Sequence, residues 1–200
     1  MLANDAALDA VIFEAANAIQ ALPAGAAHIS MSTISVALSR HLAEAHKERK
    51  QHYVAVFGRP DAAAAAKLFI VAAGPAEEIK RCRPLFDAIG QKTFVAGDDA
   101  HAANVIKLAG NFLITTVIEG LAEAFAFGRK FGVDPHAFLD ILTDSLFSAP
   151  VYRNYGSMIA SDKFEPAGWI FYQVGVGHPA IVRTAGCHVV SAIFKQRQRD

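Results

Sequence analysis

Cysteine is scarce in this chain, and its scarcity argues against two kinds of structure. Only Cys82 and Cys187 occur among the 200 residues, too few for a disulfide framework and too far apart in sequence to indicate a bridge. Neither has a Cys or His neighbour at metal-ligand spacing. The eight histidines offer no better set, since His41 and His46 lie five residues apart, a poor helical register. We therefore expect reduced cysteines and no metal site.

Net charge and long apolar runs are also missing. Nineteen basic and nineteen acidic side chains cancel, so nothing in the net charge favours nucleic acid or an anionic membrane surface. No uninterrupted apolar run reaches the roughly 18 residues that cross a bilayer. The first residues, MLANDAALDA, lack the basic and apolar segments of a signal peptide. These absences predict a globular cytoplasmic protein without nucleic-acid or membrane partners.

What the sequence does contain, before residue 100, is an alternation of strand and helix patterns. Hydrophobic residues make up 53% of the chain, enough for a sizeable core. Strand-like runs are HISMSTIS, HYVAVFG, KLFIVAAG and KTFVAG, and helical patterns between them include ISVALSRHLAEAHKERK and AEEIKRCRPLFDAIG. A helix is predicted over DAALDAVIFEAANAIQAL, and a short helix or helical turn over the alanine run at 62–66. This rhythm predicts an α/β layer with partly parallel strands.

The pattern becomes entirely helical near residue 100. From Ala100 to Phe131 apolar residues occupy almost every face, which is typical of a helix buried between partners. A second helix is predicted in GVDPHAFLDILTDSL, capped by Asp134 with Pro135 in its first turn, and a third in VYRNYGSMIA. We therefore predict α/β plus all-α architecture: an α/β unit over residues 1–99, a helical unit built on one long central helix over 100–168, and a divergent tail over 169–200.

A polar pair interrupts the long apolar helix. Lys107 and Asn111 are four residues apart, so both project from one helical face. Oxidation of a secondary alcohol needs a hydride acceptor and one basic group for the hydroxyl proton. A lysine can act as that base when burial lowers its pKa, and Asn111 is suited to hold the same hydroxyl or a carboxylate oxygen. The alternative is a lysine that extends to the surface, the commoner role of an isolated lysine on an apolar helix.

Three motifs occur in order along the chain: HISMSTISVALSRHLAEA, VFGRPDAAAAAKLFIVAAG and NVIKLAGNFLITTVIEGLAEAFAFGRKFGVDP. Together they resemble the β-hydroxyacid dehydrogenases, the family of 3-hydroxyisobutyrate dehydrogenase and a relative of 6-phosphogluconate dehydrogenase. The similarity covers about residues 1–168. It implies the C-terminal part of a Rossmann-like domain that binds NAD or NADP, followed by a helical domain that forms a dimer.

The resemblance also implies roles for individual residues. Lys107 corresponds to the general acid/base, and Asn111, Ser32 and the backbone at Gly58 correspond to groups that bind the substrate. Thr33 corresponds to a residue beside the nicotinamide. The implied substrate is a small 3-hydroxy acid or its carbonyl counterpart. Taken alone, Ser32 and Thr33 are as readily a strand end and helix cap, and Gly58 a turn glycine.

The family's glycine-rich loop is the feature that this sequence does not show. A G-x-G-x-x-G turn between a strand and a helix normally receives the pyrophosphate of the cofactor. The chain starts at what resembles the end of the family's fourth strand, and GVGHPAIVRTAG near its end follows no clear strand. Phe57 also replaces the family's serine before the glycine. Two functions stay open: an impaired, truncated NAD(P)-dependent oxidoreductase, or an inactive remnant acting as a binding or dimerisation module.

Overall fold

The computed structural model describes residues 2, 4–14, 17–57 and 65–163. They form two compact units that divide within one long helix, the first unit ending at Ala109 and the second beginning at Gly110. The predicted limits 1–99, 100–168 and 169–200 stay predictions. The tail and Gly58 lie outside the described residues.

The N-terminal segment is a broken helix rather than the continuous one that the sequence predicts. Helix α1 (Asp5–Asp9) passes into a π-helical turn at Ala10–Glu14, and the short helix α2 (Ala18–Ala21) follows. Asn17 precedes α2 with a left-handed backbone, φ 42°, which asparagine tolerates better than most residues. The prediction was wrong here because apolar spacing records the buried face and not a local change in backbone hydrogen bonding.

A four-stranded mixed sheet forms the centre of the first unit. Its strands lie in the order β1 (Ala27–Ser30), β2 (His52–Phe57), β3 (Leu68–Ala73) and β4 (Gly90–Val95). β1 and β2 are parallel, as are β3 and β4, whereas β2 and β3 are antiparallel. A helix connects each parallel pair, as parallel strands require: α3 (Val36–Glu48) and α4 (Ala76–Ile89). The predicted partly parallel α/β layer is confirmed.

Alternate residues of the central strands face two different hydrophobic clusters. On β2, Tyr53 and Ala55 lie in a cluster with residues of α1, α2 and α3, whereas Val54 and Val56 lie in a cluster with residues of α4. Such period-two alternation is expected of a strand that buries both of its faces. Helices therefore cover both sides of the sheet. Of the alanine run at 62–66, only the last two residues are described, and they form a turn.

The long helix α5 (His101–Lys130) runs through the division between the two units. Ala103 near its start is buried in the cluster of α3, and Leu121 and Phe125 near its end are buried in the second unit. Only 17% of an apolar 18-residue stretch of α5 is buried. The prediction of a helix buried between partners is therefore wrong for a single copy of the chain.

By length and composition α5 also meets the criterion for a membrane-spanning helix, although the sequence analysis found no uninterrupted apolar run of that length. Core helices of soluble proteins meet the same criterion. One such helix is therefore weak evidence for a membrane.

Two shorter helices complete the second unit, α6 (Pro135–Asp144) and α7 (Pro150–Ala160). Both predicted helices are confirmed. Asp134 caps α6, since its Oδ1 accepts a hydrogen bond from the Ala137 amide at 2.8 Å. The two helices approach closely at Gly156, where an added Cβ would overlap the side chain of Leu139. Any larger residue at this position would require the Leu139 side chain to shift.

Candidate active site

Lys107 lies in the second turn of α5 with its amine inside the protein. Its Nζ is buried and has no hydrogen-bond partner in the described part of the chain. Burial lowers the pKa of Lys107 from 10.5 to about 8, because the ammonium loses hydration and gains no compensating charge. The lysine therefore does not extend to the surface, and its amine is a base that can lose its proton near neutral pH.

Asn111 lies one turn further along the same face of α5. It is buried, and its Nδ2 has no hydrogen-bond partner within the described ranges. Its backbone carbonyl accepts a hydrogen bond from Thr115 Oγ1 at 3.0 Å. Buried donors without acceptors cost free energy, so their persistence is typical of groups that meet a ligand. Two unpaired donors, one of them cationic, suit an oxygen-rich ligand such as a carboxylate or alkoxide.

Ser32 and Thr33 lie two and three residues after the end of β1, in the loop that leads into α3. Both are buried, and Ser32 Oγ accepts a hydrogen bond from the Leu2 amide at 2.7 Å. The cap of α3 is Ser35, whose Oγ accepts from the Leu38 amide at 3.1 Å, so neither residue of the pair has the capping role. Their loop lies at the carboxyl end of β1, where open α/β sheets bind ligands.

The structure thus places Lys107 and Asn111 together on α5, and Ser32 and Thr33 together after β1. Their meeting in one pocket stays a prediction. The backbone at Gly58 lies outside the described residues, so its predicted contact with the substrate also stays a prediction.

Sequence reasoning missed a third polar residue on the same face of α5. Asn104 Oδ1 accepts a hydrogen bond from Ser39 Oγ of α3 at 2.8 Å, and both side chains are buried. Because Asn104 precedes Lys107 by three residues, this bond holds the turn of α5 from which the lysine projects. The available signal was a second amide at helical spacing from Lys107.

A histidine pair, His28 and His46, was also missed. His28 Nδ1 of β1 lies 2.9 Å from His46 Nε2 of α3, and His46 Nδ1 lies 2.8 Å from Gln51 Oε1. The two histidines are 18 residues apart in the chain, so their spacing carried no signal. Across the described ranges, no group of three or more His, Cys, Asp or Glu side chains could hold a metal ion.

Comparison with known proteins identifies the family. A family model described as the NAD binding domain of 6-phosphogluconate dehydrogenase matches residues 1–97. A second, described as NAD-binding of NADP-dependent 3-hydroxyisobutyrate dehydrogenase, matches residues 102–174. The chain belongs to the β-hydroxyacid dehydrogenase family. The predicted family and its fold class, a Rossmann-like domain followed by a helical domain, are confirmed.

Individual members of the β-hydroxyacid dehydrogenase family agree with this. The uncharacterized oxidoreductase YfjR of Bacillus subtilis is 44% identical over 171 residues, which cover 84% of this chain and 59% of YfjR. A 3-hydroxyisobutyrate dehydrogenase of Pseudomonas aeruginosa is 34% identical over 119 residues, 58% of this chain and 40% of that enzyme. The crystal structure of a Salmonella typhimurium 3-hydroxyisobutyrate dehydrogenase has a TM-score of 0.77 at 19% identity and covers 96% of this chain and 65% of that one. The fold is therefore shared, and the chain spans about half the length of these curated relatives.

Proposed function

We propose that the chain acts as an NAD(P)-dependent oxidoreductase. It transfers hydride between the nicotinamide and a small 3-hydroxy acid or its carbonyl counterpart. The observation that carries the proposal is the buried, unpaired amine of Lys107 with the unpaired amide of Asn111 one turn later. Family membership supports the reaction class. The exposed apolar side chains of α5 support a homo-oligomer. The proposed location is the cytoplasm.

In the proposed reaction Lys107 takes the hydroxyl proton as the alcohol is oxidised and returns it to the carbonyl oxygen in the reverse direction. A lysine with a pKa of about 8 exists in both protonation states near neutral pH, so it can serve either direction. NAD(P), when bound, supplies the hydride acceptor or donor. Asn111 donates from Nδ2 to a substrate oxygen.

Three further residues complete the proposed site. The buried loop of Ser32 and Thr33 at the carboxyl end of β1 fits the nicotinamide side of the cofactor. Ser32 contacts the substrate and Thr33 the nicotinamide, while the backbone at Gly58 receives the substrate carboxylate. No G-x-G-x-x-G turn follows a strand in the ranges that the structure describes, so no residue is assigned to the diphosphate.

A second candidate function is a binding or dimerisation module without catalysis. The exposed apolar residues of α5 favour it, because such a surface can pack against a second copy of the chain. In this candidate function the chain forms the same oligomer but does not transfer hydride.

Titration with NADH and NADPH, followed by nicotinamide fluorescence, separates the two candidates. Saturable binding, with turnover of 3-hydroxyisobutyrate or another small 3-hydroxy acid, supports the oxidoreductase. Lys107→Ala should then keep cofactor binding and lose turnover, whereas Lys130→Ala, which removes an exposed lysine from the same helix, should keep both. Absence of binding at millimolar cofactor would contradict the oxidoreductase and support the module.

A further inference from the structure

A hydrogen-bonded series of side chains outside the proposed active site determines where two histidines carry their hydrogens. Gln51 Nε2 donates to the carbonyl oxygens of Ile19 and Leu22, at 2.9 and 2.6 Å. Both amide hydrogens are thereby used, so Gln51 Oε1, 2.8 Å from His46 Nδ1, can only accept. His46 Nδ1 therefore carries a hydrogen.

The same reasoning extends to His28. A neutral His46 with its hydrogen on Nδ1 offers only an acceptor at Nε2. His28 Nδ1, 2.9 Å from that nitrogen, must then donate, and His28 Nε2 is left without a hydrogen. One glutamine, anchored to two backbone carbonyls, thus sets the tautomers of both rings.

The surroundings of the histidine pair disfavour a positive charge. Burial is the largest cause that lowers the pKa of both rings, and together with smaller contributions from charge it places the pKa of His28 at about 4. The charge of His46 is one of those smaller contributions for His28, whereas the hydrogen bond that His46 donates to Gln51 opposes the lowering of the pKa of His46. Tyr53 of β2 stacks on His46 and meets His28 edge-on, with ring centroids 5.9 and 5.3 Å apart. No Asp or Glu is among the groups that shift either pKa.

We propose that the hydrogen bonds joining His28, His46 and Gln51 form an acid-sensitive contact, which holds β1 against α3 while both rings are neutral and opens the first unit on acidification. A proton on His46 Nε2 would force the hydrogen of His28 from Nδ1 to Nε2, because two N–H groups cannot share this contact, and it would leave a positive charge in a buried setting. A proton on His28 Nε2 would place a charge among largely buried rings without a carboxylate partner. Either charged ring is better hydrated in the unfolded chain, so acid favours opening.

The pH range follows from the direction of the pKa change. The folded-state pKa of His28 is about 4, below its ordinary value of 6.5. The stability of the neutral pair is therefore fully present above about pH 6.5 and is lost as the pH falls toward about 4. For His28 alone, the unfolding equilibrium constant should rise by up to about 30-fold between about pH 8 and about pH 5.

His28→Asn tests this directly. The asparagine amide can donate from near the position of His28 Nδ1, and it does not titrate in this range. His136→Asn is the matched control, since His136 is exposed in α6. Urea unfolding of the full chain from about pH 8 to about pH 5, followed by circular dichroism, should show the acid-induced rise in wild type and His136→Asn. His28→Asn should remove up to about 30-fold of that rise, and equal pH dependence in all three proteins would overturn the proposal.

A second measurement tests the proposed contact if His28→Asn does not fold. NMR spectra of the ring nitrogens in the wild-type protein at about pH 8 should show both rings neutral, with the hydrogen on Nδ1 in each. A charged ring at that pH, or a hydrogen on Nε2 of either neutral ring, would overturn the proposal.

Discussion

The two units differ in how completely they bury their own apolar surface. In the first unit helices cover both faces of the sheet, and Val54 and Ile70 have no exposed surface. In the second unit the cluster around Phe125 is small, and Leu113 and Phe127 of α5 are 64% and 68% exposed. Apolar surface of this extent is typical of an interaction site. The central strands of the first unit are therefore well buried, whereas α5 in the second unit leaves large apolar side chains exposed.

Buried polar groups also fall into two kinds, paired and unpaired. Ser39 pairs with Asn104, and Gln51 has partners for both its amide hydrogens and its oxygen. In the described part of the chain, Lys107 Nζ and Asn111 Nδ2 have none. Paired groups such as Ser39 and Asn104 hold neighbouring helices together. Unpaired groups lower stability, and a ligand can satisfy them.

The largest expected effect comes from breaking the small cluster of the second unit. Phe125→Ala should cost about 3–5 kcal/mol of unfolding free energy, because the buried ring also loses its edge-to-face contact with Phe138, at a centroid distance of 5.2 Å. Leu146→Ala, at a side chain between α6 and α7 that is 84% exposed, should change it by less than about 0.5 kcal/mol. Urea unfolding measures both. Equal losses would contradict the burial of Phe125.

A stabilising change is expected at Lys107. Its pKa is lower in the folded chain than the ordinary 10.5, so protonation at neutral pH costs stability, and the cost disappears as the pH rises from about 8 to about 10.5. Lys107→Met should therefore stabilise the chain by roughly 2–3 kcal/mol at about pH 7 and much less near pH 10.5. Urea unfolding at both pH values tests this, with Lys130→Met as control. A loss of stability at pH 7 would contradict it.

Two glycine substitutions sharpen the description of helix packing. Gly156→Ala should cost about 1–3 kcal/mol, because the new Cβ overlaps Leu139 of α6. Gly120→Ala places the same methyl group on α5 with no atom within 4 Å, and it should gain about 0.5–1 kcal/mol from lower backbone entropy in the unfolded chain. Thermal unfolding of both variants gives the comparison. A gain in both would show that α6 and α7 separate readily.

The smallest expected effect concerns self-association. Leu113→Glu adds a charge to an exposed apolar position of α5, and it should raise the dissociation constant of the oligomer at least about tenfold, or about 1.4 kcal/mol. Gln20→Glu adds the same charge at an exposed polar position of α2 and serves as control. Sedimentation velocity over a concentration series measures both. A monomeric wild type would contradict the proposed oligomer.

Much of the fold could be predicted because its signals are local. Asp134 and Pro135 start α6 within a single turn, and each strand carries its own apolar pattern. The failures involve contacts that form only on packing. His28 meets His46 because β1 lies beside α3, and the exposure of α5 depends on how many neighbours reach it, which an apolar sequence does not specify.

The candidate site, too, could be predicted from the sequence only in part. Helical spacing alone places Lys107 and Asn111 on one face, so their proximity could be predicted. Burial of the lysine amine and the absence of an acceptor depend on surrounding elements and required the structure. Asn104 was overlooked because its role depends on Ser39, which lies 65 residues earlier in the chain.

The central claim is that Lys107 is a buried amine that exchanges its proton near neutral pH. NMR of the protein labelled with carbon-13 at the lysine ε-carbons measures this directly, and Lys107→Met identifies the signal. We predict a Lys107 titration with a pKa of about 8, separate from the other lysines. A pKa near the ordinary 10.5 would show a hydrated surface lysine and would contradict the proposed role as acid and base.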